Sequence, residues 1–199
     1  MRKVILLLGA AVCFAPAVFT QTLSQADREK GIQYLEQTRD AIVADTKNFT
    51  PAQWNFKAAP DKWSVAQTLE HIALAEDDLF QTITEKVMKA PAGAADRDTA
   101  KFDALVLNMV PDRSTKRQAP AELVPTGRWT PAETLDHFLK SRARTIEFLQ
   151  STGDLRQHVL DSPLGPLDAY EWVLFIAAHS ERHTKQILEV EASPNFPKN

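Results

Sequence analysis

One cysteine, Cys13, is all the sequence contains, and it falls inside an N-terminal apolar run. Arg2 and Lys3 precede that run, which covers residues 4–19 and ends near Ala15-Pro16-Ala17. A charged start, an apolar middle and small residues at the end predict a secretory signal peptide over residues 1–20, cleaved after Ala17 or Thr20. Gly9 and Pro16 interrupt the run, and it is shorter than the roughly 20 residues of a membrane span, which favours cleavage over an anchor. Cys13 follows Ala10, Ala11 and Val12 and so lacks the lipoprotein pattern. The mature chain therefore has no disulfide, no thiol nucleophile and no thiolate ligand. Any metal site must be built from His, Asp or Glu.

Basic blocks are also missing. Loss of a leader that carries two positive charges and no acidic ones moves the formal net charge from −3 to −5. That balance argues against nucleic acid or anionic lipid as a partner. No second apolar span is present, so the mature protein is expected to be exported (periplasmic or extracellular), with no stable membrane association. Internal repeats, low-complexity segments and alternating strand patterns are absent too.

What remains is helical. Residues 24–47 carry Ile32, Leu35, Ile42 and Val43 in helical register behind Ser24 as N-cap. Residues 48–63 hold two prolines and two tryptophans and read as an ordered loop. Ser64 caps a second helix to about Lys89, with Val65, Leu69, Ile72, Leu79, Ile83 and Val87 as its stripe. Residues 90–129 form a long connection with prolines at 91, 111, 120 and 125 and a short helix over about 99–108. Thr130-Pro131 with Glu133 opens a third helix, striped by Leu135, Phe138, Leu139, Ile146 and Leu149 and ending near Gly153. Residues 154–167 read as a loop, and the fourth helix runs from Asp168 to about Glu191. The expected fold is one all-α domain over residues 21–199, a four-helix bundle with a long crossover between helices two and three.

In the last helix His179 and His183 lie one turn apart on the apolar face defined by Trp172, Ile176, Ile187 and Val190. Two neutral imidazoles so placed can grip one metal ion, and two core histidines give the same spacing. The zinc-hydrolase patterns H-E-x-x-H and H-x-x-E-H are excluded, because Ser180 and Arg182 occupy the positions that need Glu. Glu181 points about 200° away from His179. Of the other histidines, His137 lies opposite its helix's stripe among polar neighbours, and His158 is in or beside a loop. His71 sits about 140° from its helix's main stripe. That position suits either a cleft at the bundle's side or solvent.

Glu76 projects onto an apolar stripe, where an unpaired carboxylate is costly. It is a candidate to orient a ligand or act as general base, and an ion pair with an arginine such as Arg142 is the alternative. Gln186 lies near the histidine face, suited to hydrogen bonding or to packing at the core edge. Trp54 and Trp63 suit either a pocket wall or the closure of a bundle end.

Trp63-Ser64 followed by His71, then H-S-E-R-H-T-K-Q-I with His179, Arg182, His183 and Gln186, resembles the DinB-like superfamily. The resemblance extends over most of the mature chain, including the P-L-G-P-L segment before the last helix. It implies a four-helix bundle and a divalent metal ion, zinc, nickel, iron or manganese, held by His71, His179 and His183. Some members are thiol-dependent transferases or isomerases, usually intracellular, and an exported chain departs from that setting. Two functional classes follow. One is a metal-dependent transferase or hydrolase acting on a small molecule; the other is a non-catalytic bundle that binds a metal or small ligand. A homodimer is compatible with either.

Overall fold

The computed structural model describes residues 22–198, so the expected leader lies outside the described residues. Helices begin where a side chain satisfies the first free amides. Ser24 accepts from the amide of Asp27 at the start of α1 (Gln25–Thr46). Within the stretch read as a loop, Thr50 and Gln53 form a capping box that opens the short α2 (Pro51–Asn55). Ser64 and Gln67 do the same for α3 (Val65–Glu85), and Asp98 caps α4 (Thr99–Met109). Thr130 and Glu133 open α5 (Pro131–Ser151), and Asp168 and Glu171 open α6 (Ala169–Glu191).

The main helices are α1, α3, α5 and α6, and their side-chain pairings give the directions. Tyr170, at the start of α6, donates to the carbonyl of Asp27 at 2.5 Å, and Tyr34 donates to Glu181 at 2.5 Å, so α1 and α6 run parallel. Asp77 of α3 accepts from Ser141, and Phe80 meets Phe148, so α3 and α5 are parallel as well. Arg28 reaches the carbonyl of Thr152, and Val65 and Leu69 share a cluster with Ile187 and Val190, so α1–α5 and α3–α6 are antiparallel. The order is up-down-down-up, with α1/α3 and α5/α6 on the diagonals. Two consecutive parallel helices require a return of one helix length, about 30 Å for 21 residues. Residues 86–130 supply it, and α4 packs on α6 along the way. This is the crossover that the length of the connection predicts.

Two apolar clusters fill the bundle, one around Leu35, Ile83, Leu149 and Val173, the other around Ile42, Leu69, Phe138 and Ile187. A polar belt between them centres on Arg142, which is fully buried. Its Nε and Nη2 each lie 2.8 Å from the Glu76 carboxylate. Nη1 donates to Leu35 O and Thr38, and Nη2 also donates to Ser180. All five N–H groups are used, which is what a guanidinium needs in a dry core.

The segment 154–167 departs from the loop expected there. It contains an antiparallel hairpin, β1 (Val159–Ser162) and β2 (Gly165–Asp168), turned at Gly165 with φ +100°. Strands of four residues that include Gly, Pro and two Asp carry no alternation to read. Pairing comes from the turn: Ser162 Oγ accepts from the amide of Leu164 at 3.0 Å and donates to Gly165 O at 2.7 Å. Among the described residues no helix is long and apolar enough to cross a membrane.

Candidate metal centre

His71 comes from α3 and His179 and His183 from α6, where the antiparallel helices meet. One ring nitrogen from each lies within 4.8 Å of the others. Ring centroids are 4.4–5.0 Å apart. His71 and His183 are buried, and His179 keeps partial access to solvent. The flank of α3 that carries His71 is not solvent. Residues 68–76 are buried without a break, because α6 and the crossover cover that side.

Burial pushes all three imidazoles below their usual range. His183 is lowered to about 3, first by burial and then by His71. His179 is lowered well below the ordinary value by burial, then by His183 and His71. His71 is lowered by burial, partly offset by its bond to a carbonyl. Desolvated rings side by side cannot all carry protons, so at neutral pH each presents a lone pair.

Two rings have their tautomer fixed from outside. His71 Nδ1 lies 2.8 Å from Leu123 O, and a carbonyl only accepts, so Nδ1 carries the proton and Nε2 is free. His183 Nδ1 lies 2.9 Å from Gln186 Oε1, with the same result. Trp63 walls the cluster, its ring centroid 4.9 Å from His71. Trp54 instead packs edge-on against Phe49 and helps close the bundle end.

The crossover is tied down around this point. Arg182 donates to the carbonyls of Asp112 and Thr115. Glu70 accepts from the amides of Thr126, Gly127 and Arg128, at 2.9, 2.8 and 3.4 Å. Gly127, at φ +73°, lets those amides converge. Arg182 therefore anchors the covering segment, and its side chain is committed to that.

Sequence reasoning missed Leu123, because its contribution is a backbone atom 52 residues from His71. It also missed Arg113 and the role of Glu70. A carboxylate beside His71 on a buried helix was the available signal for Glu70.

The other candidates lie elsewhere. His137 is half-buried, not free in solvent: it bonds Asp77 at 2.6 Å and stacks on Trp129. His158 bonds Ala90 O at 2.7 Å, and its Nε2 is 3.5 Å from Asp154. Glu76 takes the ion-pair alternative, with both oxygens on Arg142 and a further bond from Thr145 at 3.2 Å. A carboxylate so engaged is not a free base. It reaches the histidine helix through Arg142 and Ser180.

A family model described as the DinB superfamily matches residues 34–187. Among curated proteins the chain is similar to the uncharacterized protein YuaE of Bacillus subtilis strain 168. They are 23% identical over 150 residues, spanning 74% of this chain and 88% of YuaE. Among solved structures it is similar to YfiT from Bacillus subtilis, described as a probable metal-dependent hydrolase with an unusual four-helix bundle topology. The TM-score is 0.56 at 16% identity, over 92% of this chain and 95% of that one. At that identity the likeness speaks for the fold.

Proposed function

This chain belongs to the DinB superfamily, and from that premise we propose that His71, His179 and His183 hold one divalent metal ion in a hydrolytic or group-transfer site for a small molecule. The observation that carries the reading is the convergence of three neutral imidazole nitrogens within 4.8 Å. The donor set fits: three uncharged nitrogens from two facing helices match catalytic sites that use three protein ligands and leave a position open. An all-imidazole set suits zinc, nickel or iron better than manganese.

When bound, such an ion supplies Lewis acidity and lowers the pKa of a neighbouring water or thiol. The chain's own residues prepare that site. Leu123 O and Gln186 Oε1 hold the Nδ1 protons of His71 and His183 and leave the opposite nitrogens free to bind an ion. Trp63 and the crossover exclude bulk water, and the partial exposure of His179 leaves a way in. The description of YfiT as a probable metal-dependent hydrolase supports the hydrolytic side.

Cobalt substitution tests the open position. A small hydroxamate or thiol added to the cobalt-loaded protein is expected to change its visible absorption spectrum. An unchanged spectrum at saturating ligand would reduce the site to a closed, non-catalytic one.

A further inference from the structure

The crossover does more than cover the metal centre. Both hydrogen bonds that fix a histidine tautomer lead back to it. His71 is held directly, by the carbonyl of Leu123. His183 is held through Gln186, and Gln186 is itself held by a crossover side chain: Arg113 Nη1 donates to Gln186 Oε1 at 3.3 Å. The Arg113 guanidinium is fixed in turn by Glu189, with Nε 2.6 Å and Nη2 2.5 Å from its two carboxylate oxygens.

A primary amide can present either its oxygen or its NH2 to a neighbour. Toward His183 Nδ1 the oxygen demands a protonated Nδ1, and the NH2 demands a bare one. The first tautomer leaves Nε2 able to bind a metal ion, and the second buries the proton on Nε2. A cation against the oxygen resolves the choice, because an arginine has five donors and no acceptor.

We propose that Arg113 and Gln186 are positioning residues: by pinning the amide, the crossover holds His183 in the tautomer that binds metal, so docking of the crossover and metal affinity are coupled. The inference rests on the metal reading above and adds to it a control point 73 residues away from Gln186 in the chain. The Arg113–Glu189 pair, half-buried at the arginine and exposed at the carboxylate, adds little stability on its own, so its weight falls on orientation. Coupling of this kind is reciprocal. Metal loading should therefore slow hydrogen exchange in residues 112–128.

The discriminating variant is Gln186→Glu. A carboxylate offers two equivalent acceptors and has no wrong face, so orientation by Arg113 becomes unnecessary. Zinc affinity of the full chain is measured by competition with a chromophoric chelator, with helicity checked by circular dichroism. Gln186→Leu is expected to weaken zinc binding about 10–100-fold, the usual cost of removing a hydrogen-bond partner behind a ligand. Arg113→Ala should weaken it about 10-fold in the native background and leave it nearly unchanged when combined with Gln186→Glu.

Nitrogen-15 shifts of the His183 ring give a readout that needs no metal. Wild type should show a protonated Nδ1, and Arg113→Ala a mixture of tautomers. Native zinc affinity in folded Arg113→Ala and Gln186→Leu would overturn the proposal, as would an equal loss from Arg113→Ala in both backgrounds. If wild type binds no stoichiometric zinc, the metal reading fails by itself. The ring shifts then decide whether Arg113 sets the tautomer, and a ring that ignores Arg113→Ala overturns that too.

Discussion

Three imidazoles packed ring to ring stay neutral because burial penalises a charge on each. In chelator-treated protein the His183 ring resonances should hold neutral positions from pH 8 to pH 5, and a midpoint near 6.5 for that ring would contradict the account. The sign for stability follows. The unfolded rings protonate near 6.5 and folded His183 only near about 3, so acidification through that window favours unfolding. The slope is at most about 1.4 kcal/mol per pH unit for each ring. Glu171 is pushed up to about 7 by burial and gives the opposite slope between its ordinary 4.5 and that value. Ring titration therefore isolates the effect better than a melting curve. At this scale the sequence was half legible. The turn spacing of His179 and His183 was plain, but His71 needed a family likeness, because helical angle alone put it off the stripe. What covers it is a backbone carbonyl from a remote segment, and backbone atoms leave no mark in a sequence.

Where α1, α3, α5 and α6 meet, the belt of Arg142, Glu76, Thr38, Thr145 and Ser180 separates two apolar clusters. Removing one member leaves the other charge stranded. Arg142→Met should cost roughly 3–5 kcal/mol in urea unfolding, and adding Glu76→Leu should recover most of it, because a buried pair is often replaceable by packing. A single variant within about 1 kcal/mol of wild type would show that the belt is solvated instead. Helices were the legible elements, since Ser24, Ser64 and Thr130 cap where the apolar stripes begin. Short pieces were not. The capping box of α2 lay hidden among prolines and aromatics. The hairpin depends on a turn and a ladder that four-residue strands do not announce.

On the scale of the whole molecule, parallel α3 and α5 force a long return, and that return covers the histidine cluster. The up-down-down-up order thus links topology to chemistry: the segment that closes the fold also supplies Leu123 O and Arg113. The length of the connection made the crossover legible, but its use did not show until its contacts were seen. Two apolar clusters bury a core without any metal, so the apo protein should remain folded. The most direct test of the central claim is metal content by mass spectrometry, on untagged wild type and on His71→Ala, His179→Ala, His183→Ala and His137→Ala, with thermal melts beside it. One equivalent of a divalent transition metal is predicted in wild type and His137→Ala. It should be lost from the other three, each still melting cooperatively. A wild type without stoichiometric metal, or a His71→Ala protein that keeps it, would contradict the account.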